Sequence, residues 1–134
     1  MYSGSFLPEI LIQNSSLDTV SSESLFDKKT VIYFWSQSQM NHYRKTLKIL
    51  EEVKMNKPNY RFVGISIQPL NTMALQANMM LNKDNKNQFA IINFENASKK
   101  WIITLLNKAI VIDKNGKIIN GFGNIFDSKF LNEL

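Results

Sequence analysis

The sequence predicts an α/β fold in which a central β-sheet is flanked by helices, and three observations lead to that prediction. Segments of strand-like and helix-like periodicity alternate along the chain, which is typical of a sheet whose strands are joined by helical crossovers. Thr30 to Trp35 is an unbroken β-branched and aromatic run, as expected of a strand buried on both faces. Asn115-Gly116 lies between two apolar runs and predicts a hairpin, because both residue types tolerate positive φ.

Composition limits the classes of protein that need to be considered. The 134 residues, 44% of them hydrophobic and 20% charged, fit a single globular domain over 1–134, which is also compatible with the C-terminal part of a longer protein. No apolar run approaches the about 18–20 residues that a membrane-spanning helix needs. The net charge of +5 comes from scattered lysines and arginines rather than a basic run, so we expect neither nucleic-acid binding nor membrane insertion.

The first half of the chain contains one long amphipathic helix between strands. Strands are predicted at 8–14 and around 19–20, a helical turn at 22–26, the buried strand at 30–35, a helix at 39–54 and a strand at 60–67. The helix has one apolar stripe at spacings of three and four, formed by Met40, Tyr43, Leu47, Leu50 and Val53. Ser36 or Ser38 is the predicted N-cap.

The second half continues the alternation of helix and strand. A second helix is predicted at 70–81, with a Met-rich face that we interpret as core packing. A short strand at 88–92 and a helical turn at 95–101 follow, then the hairpin strands 109–113 and 117–122, and a closing helix at 127–134. We expect Asp113 to cap the hairpin turn and Phe130, Leu131 and Leu134 to pack inward.

Four short segments in this order resemble proteins of the thioredoxin-like fold, and together they extend over nearly the whole chain. They are Leu7-Pro8-Glu9-Ile10, Tyr33-Phe34-Trp35, Phe62-Val63-Gly64-Ile65-Ser66, and Ile110 to Asp113 followed by a turn ending Gly116-Lys117-Ile118. The resemblance is to the branch of thiol–disulfide oxidoreductases and of the alkyl hydroperoxide reductase/thiol-specific antioxidant (AhpC/TSA) group. It implies a three-layer sandwich with a central mixed sheet and extra N-terminal strands, and an extracytoplasmic (periplasmic) bacterial location.

The residues that carry redox chemistry in those proteins are missing, because the chain has no cysteine. The resemblance places the Cys-x-x-Cys motif at Gln39, Met40, Asn41 and His42, and the cis-proline at Asn107, where we expect a trans bond because a cis bond is costly before other residues. Thiol–disulfide exchange and peroxide reduction both need a thiolate. We therefore expect no such activity and no cofactor.

The sequence leaves alternatives open at the remaining polar and aromatic side chains. His42 is interpreted as a half-buried side chain hydrogen-bonded to the loop. If it acted as a base, it would have no recognisable partner. If it bound a metal, it would be the only histidine in the chain that could serve as a ligand. Trp35 fits either a core aromatic or the floor of an exposed surface.

Our first hypothesis is a redox-inactive thioredoxin-like domain that binds protein or acts as a structural module. Its binding surface would comprise Trp35, Ser36, Gln39, Met40, Asn41, His42 and Asn107. The alternative is a domain of an oxidoreductase or antioxidant-type protein whose redox cysteines lie elsewhere, or sulfur-free chemistry that uses His42.

Overall fold

The computed structural model describes residues 1–69 and 85–134, in which seven strands form one mixed sheet of order β2-β1-β5-β4-β3-β6-β7. The strands are β1 (Leu11–Gln13), β2 (Thr19–Ser21), β3 (Thr30–Trp35), β4 (Arg61–Ser66), β5 (Gln88–Ile91), β6 (Lys108–Ile112) and β7 (Ile118–Asn124). The described helices are α1 (Met40–Asn56), α2 (Phe94–Trp101) and α3 (Ser128–Asn132), with 3₁₀ turns at Ser22–Leu25 and Asn85–Asn87. The helix predicted at 70–81 lies outside the described residues.

Strand β3 lies at the centre of the sheet, and all six of its residues are buried. It pairs in parallel with β4, from Thr30 opposite Arg61 to Trp35 opposite Ser66, and antiparallel with β6. A parallel pair needs a crossover connection, and the 17-residue α1 supplies it. The prediction of a strand over 30–35 is confirmed in position and in burial.

Two apolar clusters on opposite faces of the sheet form the core. On one face, α1 and α3 pack against Val31, Tyr33 and Trp35. On the other, α2 and the N-terminal segment pack against Ile32 and Phe34. The resulting arrangement has helices on both sides of a mixed sheet, as expected. None of the described helices is long and apolar enough to cross a bilayer.

Helix α1 has the predicted buried stripe but not the predicted cap. Tyr43 and Leu50 are buried, and the other stripe residues pack partly buried beside them. The N-cap position is Gln39, whose side chain makes no capping hydrogen bond. Ser36 and Ser38 instead hydrogen-bond to each other, with 2.8 Å between their Oγ atoms. The prediction of a serine N-cap was wrong, because both hydroxyls form hydrogen bonds within the loop that precedes the helix.

The β6–β7 hairpin is confirmed, and its turn depends on Asp113 and Gly116. Asp113 Oδ1 accepts hydrogen bonds from the backbone N–H groups of Asn115 at 2.8 Å and Lys117 at 2.9 Å, so the predicted cap is present. Gly116 has φ +84, and a Cβ there would lie 2.3 Å from the Phe26 ring. The prediction rested on both residues of the Asn-Gly pair tolerating positive φ. In the structure only Gly116 adopts it, and Asn115 does not.

We expect the Asp113 carboxylate to make stability depend on pH at the acidic end. The Lys117 backbone N–H, opposed by some desolvation, holds the pKa of Asp113 below its ordinary value of 3.8. This stabilisation is present above pH 3.8 and lost as the pH falls through the lower folded-state pKa. In Asp113→Asn the amide oxygen can accept the same bonds without the charge. The difference in unfolding free energy between wild type and variant, from urea curves, should shrink as the pH falls; a constant difference would contradict this origin.

Candidate functional site

The four residues that the sequence resemblance assigns to the Cys-x-x-Cys motif lie where the β3–α1 loop enters the helix. Ser38, Gln39, Met40, Asn41 and His42 line an open depression of about 430 Å³. Gln39 and Asn41 are exposed, whereas Met40 and His42 are half-buried. The site therefore presents uncharged amides to solvent around a thioether and an imidazole.

Asn107 joins this group through a direct hydrogen bond across 65 residues of sequence. His42 Nε2 and Asn107 Oδ1 are 2.7 Å apart. The peptide bond before Asn107 is trans, as predicted. The two residues that the sequence resemblance assigns to the second cysteine and to the cis-proline thus contact each other as an imidazole–amide pair.

The surroundings of His42 leave it poorly suited to act as a base. With an amide oxygen as the acceptor, Nε2 carries the proton, and the lone pair of a neutral ring is on Nδ1. Nδ1 is buried and has no hydrogen-bond partner among the described residues. The ring also packs edge-on against Phe126, with 5.2 Å between the ring centroids. His42 is half-buried, as interpreted from the sequence, but its hydrogen-bond partner is Asn107, 65 residues away, and not the loop that precedes α1.

Trp35 and Ser36 do not belong to an exposed surface, which corrects that part of the sequence-based prediction. Trp35 is 0% exposed and stacks on Tyr43, with ring centroids 4.3 Å apart and planes inclined by 11°. Ser36 is 1% exposed. Trp35 lies inside because β3 is covered by helix α1 on the face toward which its side chain points. The surface is reduced to Gln39, Met40, Asn41, His42 and Asn107.

Two glutamines that the sequence analysis did not single out hold the β3–α1 loop. The Gln37 backbone N–H donates to Gln68 Oε1 at 3.0 Å, and Gln37 Nε2 donates to the Pro69 carbonyl at 2.8 Å. Gln68 Nε2 donates to Ser36 Oγ at 2.9 Å. These bonds join the loops that follow β3 and β4, so the entry into α1 is anchored by side chains far apart in sequence.

Within the part of the chain that the structure describes, no cluster of three metal-ligating side chains occurs. The depression has no carboxylate or thiol among its lining residues, and its amides can donate and accept hydrogen bonds in several directions. The arrangement can therefore bind polar groups such as peptide amides.

Comparison with solved structures identifies the fold. The thioredoxin domain of a thiol-disulfide oxidoreductase from Bacteroides vulgatus matches with a TM-score of 0.69 and 19% identity, over 99% of this chain and 94% of that one. A thiol:disulfide interchange protein from a Bacteroides species gives 0.70 and 19%, over 89% and 80%. A domain of a possible thiol-disulfide isomerase from Cytophaga hutchinsonii gives 0.78 and 15%, over 99% and 92%.

The chain has the thioredoxin-like fold, as the sequence resemblance implied. At these identities the likeness establishes the architecture and leaves the activity to the residues themselves. No protein-family model matches the sequence, and no curated protein matches it.

Proposed function

We propose that this chain is a thioredoxin-like domain that has no thiol chemistry and binds protein through the face that carries redox cysteines in proteins of this fold. The observation that carries the proposal is the His42–Asn107 hydrogen bond of 2.7 Å. The two positions that the resemblance assigns to the second redox cysteine and to the cis-proline facing the disulfide are here bonded to each other. This supports a stable polar surface in place of a reactive one.

The exposed amides give this surface a means of recognising protein. Gln39 and Asn41 are exposed at its centre, and each can donate to and accept from a peptide backbone. Met40 offers a flexible, polarisable apolar contact beside them. Arg44 holds the Asn41 side chain by a bond of 3.2 Å between Nη1 and Oδ1. An extended polypeptide segment matches this mixture of polar and apolar groups.

The proposal is tested by affinity capture with the purified domain as bait, using a lysate of the cells that produce it. The test variant is Gln39→Ala with His42→Ala. It removes one exposed amide and the imidazole of the His42–Asn107 pair, and we expect binding of a captured partner to fall about tenfold, as for a loss of about 1.4 kcal/mol.

The matched control is Glu51→Ala with Glu52→Ala, two exposed substitutions toward the other end of α1. A protein retained by wild type and by the control, but lost from the test variant, supports the proposed surface. Equal retention by both variants, with both folded by circular dichroism, would show that binding does not involve this face.

The finer assignments of the sequence analysis stay predictions. These are the AhpC/TSA branch, a single domain over 1–134, and the extracytoplasmic bacterial location. The alternative function, an oxidoreductase whose cysteines lie elsewhere in a longer protein, requires a cysteine-containing segment in the parent gene. A parent gene without one would eliminate it.

A further inference from the structure

Lys108 is a buried lysine for which the described chain supplies no partner. It begins β6, the residue is only 7% exposed, and its Nζ makes no hydrogen bond to any described residue. Burying an ammonium group without an acceptor is costly, so such groups are normally paired. Burial correspondingly lowers the pKa of Lys108 below its ordinary value of 10.5. Because Nζ is itself covered, exposing less than 1 Å², an external anion would reach it only by displacing the Phe122 ring that lies against it.

A pocket of about 210 Å³ lies against Lys108. Its lining combines an apolar wall with hydroxyl and amide groups, and none of the described lining residues is acidic. The lining residues besides Lys108 are Ile102, Thr104, Leu105, Asn107, Phe122, Gly123 and Asn124.

The pocket adjoins the site around His42 at Asn107, but Lys108 lies on the other face of the sheet. Ala109 and Val111 belong to the cluster under α1, whereas Ile110 belongs to the cluster on the opposite face. Since side chains alternate along a strand, Lys108 lies on the face of Ile110, away from α1. Asn107 lines the pocket, but its side-chain oxygen is bonded to His42.

The ring of Phe122 partly compensates the charge of Lys108 in the unliganded protein. Nζ lies 4.6 Å from the ring centroid, within the range of a cation–π interaction. Phe122 is itself 64% exposed, so much of its apolar surface remains available to a ligand. The ring thus covers the cation in the unliganded protein, and a ligand that moves the ring aside would meet the cation next to an apolar wall.

We infer that this pocket binds a carboxylate attached to a short apolar group, with Lys108 as the counter-ion. A single buried ammonium matches a monoanion, and Ile102, Leu105 and Phe122 match an aliphatic chain. The Thr104 hydroxyl and the Asn124 amide can donate to the second carboxylate oxygen. The inference does not depend on the proposed function, because it rests on different side chains on the other face of the sheet.

The test is an NMR titration of the ¹⁵N-labelled domain with hexanoate and, in parallel, with hexanamide. Hexanoate should give saturable shifts at the backbone amides of Leu105, Phe122 and Asn124, and hexanamide should bind about tenfold more weakly because it lacks the charge. Equal binding of the two, or no saturable binding of hexanoate, would overturn the inference. This comparison uses only the wild-type chain.

The carboxylate could belong to a free acid or to the C-terminus of a peptide, and a second pair of ligands separates these sources. An Ala-Ala-Leu tripeptide is titrated with a free and with an amidated C-terminus. Tighter binding of the free tripeptide than of hexanoate identifies a peptide end as the preferred source. Tighter binding of hexanoate identifies a free acid.

Two lysine variants test the role assigned to Lys108. Lys108→Met keeps an unbranched, flexible side chain one atom shorter than lysine and removes the charge, and it should weaken hexanoate binding about tenfold. Lys117→Met is the matched control, since Lys117 is exposed and also lies over a phenylalanine ring, 5.6 Å from the Phe6 centroid. Hexanoate binding that survives unchanged in Lys108→Met would contradict the assignment.

Discussion

Trp35→Ala is expected to lower the free energy of unfolding by about 3–5 kcal/mol, the range for truncating a fully buried aromatic side chain. Trp35 is 0% exposed at the end of the central strand, and its indole stacks on Tyr43 at a centroid distance of 4.3 Å. Removing it leaves a cavity between β3 and the first turn of α1. We therefore expect the start of α1 to lose its fixed position as well.

A comparison with Trp35→Phe separates ring packing from the indole N–H. Trp35 Nε1 is buried without a hydrogen-bond partner among the described residues, so phenylalanine removes an unsatisfied donor together with part of the ring. We expect a loss of about 1.5 kcal/mol, well below that of the alanine variant. Urea unfolding curves followed by far-UV circular dichroism measure both losses.

The outcome distinguishes a core tryptophan from a tryptophan needed mainly for binding. A loss below about 1 kcal/mol in Trp35→Ala would be typical of a surface substitution and would contradict the burial described for Trp35. The amide resonances of Met40 and His42 provide a second readout, since they should shift strongly in the alanine variant and weakly in the phenylalanine variant.

The strands and the long helix were predictable because their patterns are local. Thr30 to Trp35 is apolar throughout, so a central strand is the arrangement that buries all six side chains. The stripe of α1 follows from its spacing, and the hairpin from a glycine that can adopt positive φ. Each of these signals lies within about a dozen residues of sequence.

The parts that the sequence could not predict depend on contacts between distant residues. The Gln37–Gln68 bond joins loops 31 residues apart, and the serine hydroxyls are absorbed into that network instead of capping α1. The burial of Lys108 depends on the loop before β6 and on Phe122 in β7. A lysine at the start of an apolar strand gives no sign in the sequence that its side chain will be buried, because lysine side chains usually reach solvent.

In the candidate site too, some features could be predicted from the local sequence, and others depend on contacts between residues far apart in the chain. The positions of Gln39 and His42 follow from the strand–loop–helix pattern, and the resemblance points to Asn107. The hydrogen bond between His42 and Asn107 could not be derived, because it depends on how closely the loop before β6 approaches the first turn of α1. That approach is a property of the packed sheet.

Gln39→Cys with His42→Cys is expected to create a dithiol that oxidises reversibly to an intramolecular disulfide. Gln39 is the N-cap of α1 and His42 lies in its first turn, so the two cysteines stand three residues apart at the start of the helix and only a small adjustment should bring their sulfur atoms together. The N-terminus of α1 favours the thiolate form at these positions. Thiol titration should find both thiols free after reduction and neither free after treatment with oxidised glutathione, and insulin reduction should rise above background.

Because the natural chain has no cysteine, any turnover of this variant must come from the introduced pair. The single variants Gln39→Cys and His42→Cys are the controls, since neither can close an intramolecular disulfide. If the double variant folds but its thiols do not pair, the loop from Ser36 to Ser38, with its serine and glutamine bonds, holds α1 in a geometry that no longer suits thiol chemistry. If they pair, the architecture beneath these two positions supports a dithiol, and what the natural chain lacks there is the two cysteine side chains.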